Sequence, residues 1–151
     1  MLGSQAIEAR QGWLAVLANA PLAGIEDCIA RAAPLPAHTR LRGPEIGLIM
    51  VQGRAGGDGA PFNLGEMTVT RCTVRNAQGQ IGHAYLAGRD PRRAELVAAL
   101  DAALQHPTES AEWARTVVAP LAEAQKEARR KVAGEAAATR VDFFTLATMR
   151  S

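Results

Sequence analysis

A chain of 151 residues has the size of one domain, and a globule of that size buries about two-thirds of the surface its unfolded form exposes. Hydrophobic residues make up 48%, which excludes a disordered chain, but aromatics are only 4%, so the core must rest on Leu, Ile, Val and Ala. The formal net charge of +2 is too small to indicate a nucleic-acid partner.

The first segment reads as a helix whose apolar face carries Ile7, Trp13, Leu14 and Leu17, with Glu8, Arg10 and Gln11 turned away from it. Asn19-Ala20-Pro21 stops it, and Pro21 suits the first position of a second helix with a stripe of Leu22, Ile25, Cys28 and Ile29. Pro34 and Pro36 end that helix. The middle third changes period. Thr39–Arg42 alternates, Gly47–Val51 is an apolar run of strand length, and Met67–Arg75 is rich in β-branched residues. Ile81–Leu86 follows across the turn residues Asn76-Ala77-Gln78-Gly79. Short connections between successive strands predict an antiparallel meander.

Asp90-Pro91 opens the next helix, with Asp90 as cap and Leu96, Val97, Leu100 and Leu104 facing the core; Pro107 ends it. Trp113, Val117 and Val118 predict a short helix. From Pro120 to about Thr139 the pattern is helical again, but Leu121 and Val132 are its only large apolar residues and the rest of the stripe is Ala. The tail then turns hydrophobic, with Val141, Asp142, Phe143, Phe144 and Leu146 within six residues. Such aromatics are common interface anchors, and Asp142 suits a partly exposed segment. The alternative is that the tail folds back to complete this domain's own core. The expected fold class is therefore α+β: one domain over 1–151, an antiparallel β-meander flanked by N-terminal and C-terminal helices, with an extended C-terminal tail.

Chemistry is harder to find. Gly53–Pro61 has the look of a phosphate loop, but the chain has no Gly-Lys pair, and a GxGxxG frame from Gly57 meets Phe62 where its last Gly belongs. A flexible connection between strands is the plainer reading; the functional one has Arg54, Gly56, Gly57 and Arg71 touching an anion. Of the 17 basic residues all but Lys126 and Lys131 are Arg, which fits either a GC-rich coding sequence or an Arg-lined anionic site. His38, His83 and His106 stand apart, without metal-ligand spacing. No nucleophile motif is present; Asp58, Glu66 and Asp90 are candidate acids, but Glu66 begins a strand, Asp90 reads as a cap, and a structural role is the plainer reading of each. Cys28 and Cys72 make no CxxC pattern and are expected to be reduced and buried. The first residues lack the basic and apolar regions of a signal peptide, and no apolar run nears the ~20 residues of a membrane span, so the expected setting is the cytoplasm, away from membranes.

Gly53-Arg54-Ala55-Gly56-Gly57-Asp58-Gly59-Ala60-Pro61-Phe62-Asn63-Leu64-Gly65-Glu66, followed by Thr68-Val69-Thr70-Arg71-Cys72, resembles the signature region of the PhnG family. Gly82-His83, Gly88-Arg89-Asp90, Ala94-Glu95-Leu96 and Arg140-Val141-Asp142-Phe143-Phe144-Thr145 continue the likeness, which runs from Gln11-Gly12-Trp13 to the tail. The resemblance implies a subunit of the carbon–phosphorus lyase core complex, with PhnI-, PhnH- and PhnJ-type partners. With PhnI, PhnH and PhnL, such subunits support transfer of a phosphonate to C1′ of ATP. Adenine leaves, and α-D-ribose 1-methylphosphonate 5-triphosphate is formed; the radical SAM subunit PhnJ acts later. The resemblance brings no catalytic residue, metal or cofactor to this chain; ATP is a substrate of the complex. The expected role is to scaffold the PhnI-type catalytic partner. The alternatives are direct contribution of phosphate- or phosphonate-binding residues to a shared site, and a free-standing small-molecule binding domain.

Overall fold

The computed structural model describes residues 2–139, with side chains from Ser4 onward. The predicted tail residues Val141, Asp142, Phe143, Phe144 and Leu146 lie outside the described residues. Helices α1 (Leu2–Asn19) and α2 (Leu22–Arg31) lead into a sheet of β1 (His38–Arg54), β2 (Pro61–Asn76) and β3 (Ile81–Ala87). Helix α3 (Pro91–Leu104) follows, then α4 (Ser110–Trp113), a π-helical turn (Ala114–Val118) and α5 (Ala119–Ala138). The sheet is an antiparallel meander in the order β1-β2-β3, as the strand pattern predicts, so the class is α+β.

Helix α3 is the centre of the molecule. It is buried from Leu96 to Leu104 without interruption, because the sheet lies on one side of it and α1, α2 and α4 on others. Ala98, Ala99, Ala102 and Ala103 keep its surface low, so the sheet settles directly on its backbone. Gly82 marks the closest approach: a Cβ there would run into the Ala98 carbonyl and the Ala102 amide. Asp90 caps the helix as predicted, its Oδ1 accepting from the Arg93 amide at 2.9 Å, with Pro91 in the first turn. The β2–β3 turn also behaves as predicted. Asn76 Oδ1 accepts from the amides of Gln78 (3.1 Å) and Gln80 (2.9 Å), and Gly79 takes φ 93°.

Several expectations fail locally. Thr39–Arg42 and Gly47–Val51 are not separate elements but parts of one long β1, kept in register across Gly43 and Pro44 by shifts between Arg40 and Arg42 and between Arg42 and Glu45. Ile7 is not a core residue; it is 60% exposed beside an open groove of about 490 Å³ between α1 and the end of α3. Pro21 sits one place outside α2, in extended backbone. No helix break occurs at Pro120. Its missing N–H removes the α-helical bond to the Thr116 carbonyl, and the preceding turn widens, with the Ala119 amide reaching back to the Ala114 carbonyl. One helical rod therefore runs from Ser110 to Ala138. Leu121 is its last buried residue, and every residue from Lys126 to Thr139 is exposed. The Ala-rich stripe finds nothing to cover it in the described part of the chain.

Candidate functional site

β3 pairs with β2 only from Val69 to Arg75, so beyond Gly47 and Val69 the sheet narrows to two strands. At ~3.3 Å per residue the ribbon from Gly47 to the turn after Arg54 is about 25 Å long. Nothing in it is buried from Gly47 to Thr68. Yet Leu48 (62% exposed) and Met50 (52%) continue the line of Ile46 on one side, and Met67 and Phe62 stand on the other with the half-buried Ile49 and Val51. A register shift between Val51 and Gln52 leaves Leu64 as an extra residue, 66% exposed. The arm carries Arg54, Asp58 and Glu66 as its only charges. An isolated two-stranded ribbon is marginal in water, and natural edges are blunted with charge or proline. This one is apolar on both sides and nearly bare of either defence.

The Gly-rich segment is the tip of this arm. Gly53, Arg54 and Pro61, expected in a flexible connection, belong to the paired strands, and the turn is confined to 55–60. Gly56 and Gly57 have φ 64° and 86°, a left-handed backbone that side-chain-bearing residues resist, and the Gly59 amide closes the turn on the Ala55 carbonyl at 3.1 Å. Arg54 donates to the Gly59 carbonyl at 3.1 Å. No helix follows, so the tip offers none of the aligned amides of a nucleotide loop. Arg71 is not near it. Arg71 pairs with Glu45, nine rungs down the ribbon, which at ~3.3 Å each sets it about 30 Å from Arg54. The four predicted anion-binding residues thus fall in two places.

Arg71 belongs to the broad end of the sheet. There, Thr70, Cys72, Val74, Ala84 and Leu86 turn toward α3, and Arg71, Thr73, Arg75, Ile81, His83 and Tyr85 take the opposite face. Glu45 on β1 receives both Arg42 (Nε at 3.1 and 3.0 Å from its two oxygens) and Arg71 (Nε at 3.0 Å). Arg42 above all holds the Glu45 carboxyl below the usual range; desolvation opposes it, and Arg71 adds a lesser pull in the same direction as Arg42.

A second charged cluster is structural, and hydropathy conceals it. Asp101 is fully buried in α3. Its carboxylate accepts from Arg10 Nε (3.1 Å) and Nη2 (2.7 Å), Trp13 Nε1 (2.8 Å) and the His83 amide (2.9 Å). Arg10 is therefore not turned away from the core. Positions 10, 13 and 17 share one face of α1, and the Arg fork reaches inward along it. Cys28 and Cys72 are buried and unpaired, as expected, and burial pushes the Cys72 thiol up, away from reactivity. Among the described residues no three His, Cys, Asp or Glu side chains gather as metal ligands, and no single helix is long and apolar enough to cross a membrane.

Residues 8–149 match the family described as "Phosphonate metabolism protein PhnG". The chain belongs to the PhnG family. It is also similar to a Rhizobium meliloti (strain 1021) protein named "Alpha-D-ribose 1-methylphosphonate 5-triphosphate synthase subunit PhnG", with 50% identity over 111 residues, 74% of this chain and 70% of that one. The matched residues include the arm and its tip, and the match covers α5 and continues beyond it. The unpartnered elements of this PhnG-family chain are thus inside the family's own extent and are not additions to it.

Proposed function

We propose that this chain is a non-autonomous, cytoplasmic subunit of an α-D-ribose 1-methylphosphonate 5-triphosphate synthase. It supports the transfer of a phosphonate to C1′ of ATP, with loss of adenine, chiefly by organising a PhnI-type catalytic partner. PhnH- and PhnJ-type subunits share the assembly, and a PhnL-type subunit acts with it. The synthase assignment rests on the 50% identical relative, whose name says the same of that protein. The observation that carries the scaffolding role is the arm: ~25 Å of ribbon with Leu48, Met50, Phe62, Leu64 and Met67 exposed. Such a patch on a protein that has to stay soluble fits a surface covered by another chain. The bare end of α5 offers a second attachment, and the sequence that follows it is apolar, with Val141, Phe143, Phe144 and Leu146.

The chemistry is assigned to the partner. Among the described residues Thr73 and Thr108 each place a hydroxyl 3.2 Å from a His Nδ1, but no carboxylate orients either imidazole as a base. The test is to assay adenine release from ATP plus methylphosphonate by the purified chain and by the chain co-purified with its neighbouring subunits. The reading requires no release by the chain alone and release by the assembly. A clean preparation of this chain that frees adenine, and stops after a point substitution within it, contradicts the proposal.

A further inference from the structure

The sheet face turned away from α3 has a centre. In the strand register Thr73 lies directly opposite Arg42 on β1 and His83 on β3, and its neighbours along the same face of β2 are Arg71 and Arg75. Cross-strand partners stand about 5 Å apart and diagonal ones about 7–8 Å, within reach of side chains as long as Arg. Thr73 Oγ1 and His83 Nδ1 are 3.2 Å apart. Around one half-buried hydroxyl the fold therefore gathers three guanidinium groups and an imidazole, on a face where Arg42, Arg71, Arg75 and His83 are all exposed.

That ring already holds an oxyanion. Glu45 takes up Arg42 and Arg71 together, and its carboxylate is the single acidic group among these partners. Arg75 makes no ion pair among the described residues. With three fixed positive charges and one negative, the cluster is left electropositive after its internal pairing. Planar Arg forks that accept one carboxylate edge-on match the edge of a phosphate or phosphonate equally well. Surface ion pairs of this kind are worth little individually, so an incoming dianion can displace Glu45 at small cost.

We propose that this face binds a phosphorus oxyanion, with Arg42, Arg71 and Arg75 as its donors, Thr73 and His83 as polar floor, and Glu45 as a built-in competitor. The choice of phosphorus rests on the synthase reading above, in which both the triphosphate and the phosphonate carry that group. The Gly-rich tip plays no part in it.

The experiment is calorimetric titration of the full-length chain at low salt with inorganic tripolyphosphate and, separately, with methylphosphonate. The two arms distinguish a triphosphate site from a phosphonate site. Arg42→Gln/Arg75→Gln should weaken binding of the preferred anion at least about tenfold, and Glu45→Gln should tighten it several-fold, since the competitor is gone. A purely structural Glu45 could only loosen the site when removed. All three proteins should show the same circular dichroism and still co-purify with the synthase subunits. No saturable heat with either anion, or identical titrations for wild type and both variants, overturns the proposal. Loss of co-purification by the wild-type chain would instead sink the subunit assignment, while the titrations still decide the site.

Discussion

At the scale of single residues, two carboxylates decide most of the measurable behaviour. Asp101 is sealed in α3 and satisfied by Arg10, Trp13 and the His83 amide, tying α1 and β3 to the central helix. Asp101→Ala leaves the Trp13 indole and the His83 amide without an acceptor and Arg10 without its charge partner. Breaking such a pair costs about 3–5 kcal/mol, which the urea midpoint of unfolding should register. Arg10 is a third exposed, so water softens its loss, and Arg10→Gln should cost clearly less. Glu95 is the pH-sensitive counterpart. Its hydrogen bonds to Arg40 Nε (2.8 Å) and Nη2 (2.7 Å) hold the carboxyl below its ordinary value of 4.5, against desolvation and with a smaller push from His38. A carboxyl lowered in the folded state stabilises above its unfolded pKa and stops doing so as pH falls through the folded one. Wild type should therefore exceed Glu95→Gln in urea midpoint by a constant margin above about pH 5.5, and the margin should shrink as the pH drops below 4.5. A margin that grows toward acid would reverse the assignment. The Asp101–Arg10 pair also shows what hydropathy misses. Asp101 interrupts an apolar run, and Arg10 interrupts an apolar stripe; only their mutual geometry shows that each explains the other.

At the scale of elements, the ones with strong local chemistry were legible in the sequence. Asp90-Pro91 starts α3, Asn76-Ala77-Gln78-Gly79 turns β2 into β3, and β-branched residues mark the β2–β3 pair. Elements governed by tertiary or entropic compromise were not. β1 looked like two pieces because Gly43-Pro44 is a breaker pair in isolation, yet pairing with β2 carries the strand across by shifting register. Pro120 looked like a start signal, yet a π turn absorbs it. A run of glycines has the local pattern of a loose connection, whereas here it closes a tight turn on a long hairpin. That turn gives a clean test. Gly57 has φ 86°, where a β-branched residue is strained by about 1–3 kcal/mol, but the strain falls at the tip of a ribbon that contains no buried residue. Gly57→Val should leave the melting temperature within about 2 °C of wild type, because the core does not sense the tip. Synthase activity of the assembled complex should fall severalfold or more. Equal loss of both would return the segment to a folding role.

At the scale of the whole molecule, the chain divides into a self-sufficient body and two projections. The body is α3 with the sheet on one side and α1, α2, α4 and the start of α5 around it, and it satisfies its buried charge internally. The projections, the β1–β2 arm and the end of α5, contribute nothing to that core. This is why composition and periodicity place the fold but not the site. The sequence pattern of the arm is that of an ordinary half-buried strand pair, and only the structure shows that, among the described residues, Leu48, Met50, Phe62, Leu64 and Met67 are left exposed. Membership of the PhnG family, together with a relative named as a synthase subunit, makes other chains of such an enzyme the natural source of that cover. The most direct measurement is co-purification of Leu48→Asp/Met50→Asp with the co-expressed synthase subunits, read beside its melting curve. Both side chains are more than half exposed on one side of the arm, so the fold has no use for them. We expect an unchanged melting temperature, within about 2 °C, and loss of the partner subunits from the purified material. A double variant that melts as wild type and still carries its partners through purification would contradict the account.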